Sequence, residues 1–292
     1  MAIFNLGSIN ADLVYRVPHL PGAGETLAAR SFSRGLGGKG ANMSVAAARA
    51  GARCLHIGAV GADGGWAVER LMEYGVDTRP VATVDEVTGN AVIAVDDAGE
   101  NNIIILPGAN HALTEDHIAR ALTEATEADS FLFQNETNAL RIGAERASAR
   151  GMRVAHAAAP FDAASVQQVL PLLDLLFLNE VEAAQLAEAT GTEPASLPVR
   201  DIIVTLGSKG CRWHNTDSGE TRSFPAFKVS PVDTTGAGDT FTGYVMAGLD
   251  RGMPMEQAIR LASKAGALMV TRMGAADVIP DLKEVQAFAP PA

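Results

Sequence analysis

Short apolar runs alternate with longer helical runs along this 292-residue chain, and that alternation constrains its fold more than any other feature. Ile3–Leu6 and residues 55–60, 130–133, 153–155, 175–178 and 202–206 read as short buried strands. Residues 41–50, 65–74, 137–150 and 180–189 read as helices between them, and Gly51 and Gly75 close the first two. A strand that returns through a helix runs parallel to its predecessor, so the helices must cover both faces of one sheet. The expected fold is α/β, a doubly wound, mostly parallel sheet within a single domain spanning residues 1–292. Two regions break the rhythm. Residues 12–34 and 88–106 alternate like strands with no helix between them, and Asp96-Asp97-Ala98-Gly99 supplies a polar turn between 90–95 and 102–106. These pieces are expected to form a small separate sheet.

The composition sets limits on function. The chain carries 23 Lys and Arg against 34 Asp and Glu, a net charge of −11, with no basic stripe. Nucleic acid is therefore not an expected partner. An acidic protein that handles an anion must concentrate amide dipoles and a few cations locally, or use a metal ion. Cys54 and Cys211 lie in no Cys/His cluster and read as small buried hydrophobes. No apolar run approaches the roughly 18 residues of a membrane span. The start, MAIFNLGSIN, lacks a secretory pattern, so a cytoplasmic location is expected. The final Ala-Pro-Pro-Ala reads as a frayed tail.

Two glycine-rich motifs carry the chemistry. In Asp233-Thr234-Thr235-Gly236-Ala237-Gly238-Asp239-Thr240-Phe241, Gly236 and Gly238 permit a tight turn, and a helical pattern follows from Asp239. Free amides at such a helix start suit phosphate. An ionised Asp would repel it, unless that Asp faces a hydroxyl about to become the nucleophile. On that reading the Gly236–Gly238 segment stabilises the moving charge and Asp239 accepts the proton. The alternative is that Asp239 only caps the helix. The second motif is Gly37-Gly38-Lys39-Gly40-Ala41-Asn42. It lacks the Ser or Thr after Lys that a Walker A loop needs. Gly35, Gly37 and Gly40 match G-x-G-x-x-G with Asp63 further on, which leaves a dinucleotide-dependent oxidoreductase as an alternative. Lys39 and Asn42 suit hydroxyl recognition instead, since both donate hydrogen bonds to a polyol.

With these two motifs in this order, the chain resembles the ribokinase-type (PfkB) carbohydrate kinase family from about Ile3 to Pro280. The resemblance implies a ribokinase-like fold with a small β-sheet lid over a sugar, and Asp239 as catalytic base. It implies an anion hole at Gly236, Ala237 and Gly238. It places Asn10, Asp12, Gly38, Lys39, Asn42 and Glu136, together with Asp239, around the sugar. It gives Asn179, Thr205, Gly207, Gly210, Gly238 and Ser263 to ATP, and Glu182 to Mg²⁺ through water. It gives Asp233, Thr235, Met269, Arg272 and Gly274 to a monovalent cation such as K⁺. Read without the family, Asn179 and Glu182 form a helix capping box. The turn from Thr205 to Gly210 is then a plain link into a return strand at 211–214.

The implied activity is phosphorylation of a primary sugar hydroxyl, ribose first, then another sugar, a sugar acid or a nucleoside. A non-catalytic sugar sensor is the other reading. A homodimer through the lid edge is expected, because an exposed sheet edge needs cover. The chain departs from the family in three places. Val278 stands where a hydroxyl residue is usual in the cation loop, the short segment 191–201 leaves no room for a usual helix, and His156 replaces Asn. His156 reads as a core residue, with a place near the triphosphate as its alternative.

Overall fold

The computed structural model describes residues 1–289; Pro290, Pro291 and Ala292 of the expected frayed tail lie outside the described residues. In chain order the elements are β1 (Ile3–Leu6), β2 (Asn10–Arg16), β3 (Ser31–Gly37), α1 (Lys39–Arg49), β4 (Cys54–Val60), α2 (Gly65–Glu73) and β5 (Val81–Thr83). There follow β6 (Gly89–Val95), β7 (Asn101–Leu106), α3 (Glu115–Ala121), β8 (Ser130–Gln134), α4 (Leu140–Ser148), β9 (Arg153–Ala157) and α5 (Ala163–Val169). The rest are β10 (Leu175–Asn179), α6 (Glu180–Thr190), β11 (Asp201–Thr205), β12 (Cys211–Asn215), β13 (Glu220–Phe224), α7 (Ala237–Asp250), α8 (Met255–Met269) and α9 (Leu282–Ala287).

Nine strands form the main sheet in the order β13-β12-β11-β10-β9-β8-β1-β4-β5. All neighbours are parallel except at one end, where β12 and β13 turn back antiparallel. The strands are short apolar runs because both faces are covered. Successive residues alternate between two cores: Ile3, Leu132, Leu175 and Ile203 pack with α1, α7 and α8. Phe4, Phe131, Leu176 and Ile202 pack with α3, α4, α5 and α6. Helix α7 is buried almost throughout, which explains why its sequence is apolar on every side.

The chain runs β1 to β4 to β5 in one direction across the sheet, then β8 to β13 in the other. The order therefore reverses between β1 and β8, and a crevice opens there beyond the carboxyl ends of the strands. Asn10 and Glu136 follow shortly after those two ends.

The irregular regions form a second sheet, ordered β3-β2-β6-β7. β2 pairs parallel with β6, and the outer pairs are antiparallel. Its strands enter and leave the main body at Asn10, Gly37, Gly89 and Leu106. The polar turn at 96–99 is as expected. The expected helix at 137–150 starts only at Leu140, because Ala139 takes a left-handed conformation before it. The short segment after α6 holds a single helical turn, Pro194–Ser196, where a full helix does not fit. Among the described residues no helix is long and apolar enough to cross a membrane.

Candidate active site

The first turns of α1 and α7 meet at the reversal point. The cap of α7 is Gly236, so Asp239 stands three residues into the helix and does not cap it. Its carboxylate instead turns toward α1, where Oδ2 accepts a hydrogen bond from Asn42 Nδ2 at 2.8 Å. Burial raises the Asp239 carboxyl above its ordinary range, while Lys39 and Asn42 pull it back down. Oδ1 has no protein partner among the described residues. The amides of Gly236, Gly238 and Asp239 are likewise without backbone partners, whereas the Ala237 amide leans on Thr234 O at 3.3 Å. The helix therefore offers unspent N–H groups beside a buried carboxylate.

Around that carboxylate lies a ring of polar groups. Glu136 Oε2 accepts hydrogen bonds from Ser8 Oγ and from the Lys39 amide, the latter at 2.9 Å. This ties the loop after β8 to the loop after β1 and to the start of α1. Lys39 is half-buried, which disfavours its charge, but Asp239, Glu136 and Glu182 lie near it and raise the ammonium net. Asp12 lies over Gly37, where a Cβ would sit 2.2 Å from both carboxylate oxygens and would displace the carboxylate from this position. Burial, and then the nearby Glu136, push the Asp12 carboxyl up to about 6. Gly38, with φ of 93°, packs against Ser8 and the Asn10 amide. Asn10 Oδ1 is held by Asn110 Nδ2 at 2.7 Å.

Several polar atoms of this ring are left over. The Asp12 carboxylate, Asn10 Nδ2, Lys39 Nζ, Asp239 Oδ1 and the buried Asn42 Oδ1 meet no partner among the described residues. Of these only Asn42 Oδ1 is fully enclosed, and enclosed polar atoms in proteins are nearly always satisfied; the others face the crevice. A ligand rich in hydroxyls supplies both the donors and the acceptors this set lacks.

Next to Asp239, at Gly238 and Phe241 of the same helix, a cavity of about 490 Å³ opens between the turn after β11, the segment after β13, and α7 and α8. Thr205, Gly207, Gly210, Gly238 and Ser263 all line it, as do Phe227, Lys228, Ala267 and Val270. Ser263 Oγ is already spent on Ile259 O. Asn179, paired in register with Thr205, caps α6. The capping-box reading of this pair is what the structure holds: Asn179 Oδ1 accepts from the Glu182 amide and Glu182 Oε2 from the Asn179 amide, both at 2.8 Å. Glu182 Oε1 remains free of protein partners, so the cap does not consume the carboxylate.

The two segments of the expected cation loop are joined by Asp233. Its oxygens accept from the Thr235 amide at 2.9 Å and the Gly274 amide at 3.1 Å, and those bonds hold the carboxyl below its usual range against the opposing effect of burial. Met269 is buried with its Sδ-methyl end near Gly236, and Arg272 binds Val278 O and Glu284.

Two readings end here. Gly35 and Gly37 belong to β3 of the small sheet, not to a turn after a parallel strand, so they form no dinucleotide fingerprint; Asp63 is spent on Thr88. His156 is fully buried, stacked on Phe133 with ring centroids 4.3 Å apart and bonded to Asn135 at 2.9 Å, so it is a core residue. Burial pushes it down to about 3, so it stays neutral. Cys54 and Cys211 are free and buried. Sequence reasoning missed Ser8, Asn110, Phe227 and Lys228.

Comparison with known proteins gives the family. The ribokinase of Lactococcus lactis is 37% identical over 97% of this chain and 95% of its own. The ribokinase of Haemophilus influenzae is 35% identical over 97% and 96%. The structure of Arabidopsis thaliana ribokinase complexed with ribose and ATP superposes with a TM-score of 0.87 at 29% identity, covering 99% of this chain and all of that one. Residues 2–282 match the model described as pfkB family carbohydrate kinase, and the chain belongs to that family.

Proposed function

We propose that this chain transfers the γ-phosphoryl group of ATP to the primary hydroxyl of a small sugar, with ribose as the preferred acceptor. The observation that carries the reading is the position of Asp239: a buried carboxylate with one free oxygen, between a ring of unspent polar groups and a separate cavity, at a helix start with free amides. The named ribokinase relatives, one of them holding ribose and ATP, support ribose and ATP as the pair.

In this reading Asn10, Asp12, Gly38, Lys39, Asn42 and Glu136 hold the sugar. ATP lies in the cavity lined by Thr205, Gly207, Gly210 and Ser263, with Asn179 beside its phosphates. Asp239 Oδ1 takes the proton from the primary hydroxyl as its oxygen attacks the γ-phosphorus, and the bond to the bridging oxygen of ADP breaks. The raised carboxyl of Asp239 makes it a better proton acceptor than a solvated Asp. Lys39 and the amides of Gly236, Gly238 and Asp239 meet the negative charge that moves during transfer. Mg²⁺, when bound, neutralises and orients the phosphates; Glu182 Oε1 is left free to hold a water of its shell. A monovalent cation such as K⁺ would sit between the segments that Asp233 joins, held mainly by backbone carbonyls near Thr235, Met269, Arg272 and Gly274.

The small sheet acts as a lid that excludes water from the phosphoryl group. Its edge strand β7 exposes Ile103, Ile104, Ile105 and Leu106, each at 47% or more, which favours a homodimer formed lid to lid. We place the enzyme in the cytoplasm, as a single domain with this sheet inserted in it.

The test is an ADP-release assay over ribose, 2-deoxyribose, fructose, sugar acids and nucleosides, with the product's phosphate position read by ³¹P NMR. The expected result is the highest kcat/KM with ribose and a 5-phosphate product. Release of ADP with none of the panel sinks the kinase reading, and a clear preference for another acceptor sinks ribose.

A further inference from the structure

The loop that leaves the small sheet holds a side chain that fixes which end of Asn10 faces the ligand. Asn110 lies in the turn Gly108–His111, just after β7, and is 2% exposed. Its Oδ1 accepts from the backbone amide of Ile9 at 2.9 Å. A backbone N–H only donates, so the atom facing Ile9 must be the oxygen. The other end of the amide is then Nδ2, and it donates to Asn10 Oδ1 at 2.7 Å. Asn10 is left with its NH₂ group for the crevice, and no described residue accepts from it. The neighbouring backbone is built around this bond. Gly89 is the register partner of Asn10, and a Cβ there would sit 2.2 Å from Asn110 Nδ2 and 2.5 Å from Asn10 Oδ1.

We infer that Asn110 is a positioning residue for sugar specificity: it locks the Asn10 amide so that Asn10 donates to, and cannot accept from, the sugar hydroxyl it meets. This rests on the reading of Asn10 as a sugar ligand. Asn110 also joins the exit of the small sheet, after β7, to its entry at β2. The orientation of Asn10 is therefore linked to the position of that sheet.

The experiment compares Asn110→Ala, Asn110→Asp, Asn10→Ala and the double variant Asn10→Ala/Asn110→Ala. Each is measured for sugar KM, ATP KM and kcat with the best acceptor of the panel. Freeing the Asn10 amide removes about one hydrogen bond's worth of binding, so Asn110→Ala is expected to raise the sugar KM about tenfold. ATP KM should stay within about twofold. Asn110→Asp keeps the acceptor for Ile9 but cannot donate, so Asn10 turns its NH₂ inward and the sugar KM rises at least as far. In the Asn10→Ala background the Asn110→Ala change should alter sugar KM by less than about twofold.

Equal effects of Asn110→Ala with and without Asn10, or parallel losses in sugar and ATP KM, would mean a merely structural role and overturn the inference. A normal sugar KM for Asn10→Ala would instead overturn the assignment of Asn10 as a ligand, and the two failures are distinct. If Asn110→Ala does not fold, Asn110→Asp carries the same comparison.

Discussion

Replacing Asp12 by asparagine should stabilise the unliganded protein while it ruins sugar binding. Asp12 lies over Gly37 with no donor to its carboxylate among the described residues, and burial with Glu136 nearby lifts it from the ordinary 3.8 to about 6. The sign follows from linkage. A carboxyl raised on folding contributes stability that is complete below its unfolded pKa and is lost as the pH rises through about 6. At about 1.4 kcal/mol per pKa unit, ionising Asp12 costs the folded state about 3 kcal/mol at pH 7.5 and about 1.5 kcal/mol at pH 5. Asparagine has nearly the same shape and no charge. Asp12→Asn should therefore gain about 3 kcal/mol over the parent at pH 7.5, and about half that at pH 5. Urea titrations of both proteins at the two pH values, without sugar, measure the difference. Sugar should raise the thermal midpoint of the parent and leave that of Asp12→Asn unmoved. A variant no more stable than the parent at pH 7.5, or a gain independent of pH, would refute the account of Asp12 as an unsatisfied carboxylate awaiting a ligand.

Two further outcomes test the nucleotide side. Gln at position 182 can still accept from the Asn179 amide, so Glu182→Gln should change stability by less than about 1 kcal/mol while the Mg²⁺ concentration for half-maximal activity rises several-fold; a titration of activity against Mg²⁺ reads it. Ala267 lines the cavity of about 490 Å³. Ala267→Phe should fill part of it and raise ATP KM by roughly tenfold or more, with the sugar's thermal stabilisation preserved; an unchanged ATP KM would move the nucleotide elsewhere.

The parallel core was legible because its strands bury both faces and so appear as largely apolar runs, unbroken at 175–178 and interrupted only by the buried His56 at 55–60. Strand β13 was not, since Glu220, Thr221, Arg222 and Ser223 keep polar groups in solvent at the sheet edge. Helix α3 was also missed: it is seven residues long and buries only Ile118, too little for a period to show. In the site, Asp239 and Lys39 stood out because glycines surround them in sequence. Asn110 did not, because its meaning lies in contacts with Ile9 and Asn10, 101 and 100 residues away. Phe227 and Lys228 form part of the cavity only through the path of the chain after β13, which no local pattern encodes. The pair Asn179 and Glu182 was readable as a cap, and the cap is present; its spare oxygen, Oε1, needed coordinates to find.

The central claim is that Asp239 removes the proton, and Asp239→Asn tests it most directly. Asparagine keeps the size of the side chain and an oxygen for Asn42 Nδ2 but accepts no proton in transfer. Measured with saturating sugar and ATP, kcat should fall by about 10²–10⁴-fold, while the sugar's thermal stabilisation and the ATP KM remain near those of the parent. A variant that turns over at close to the parental rate would contradict the account.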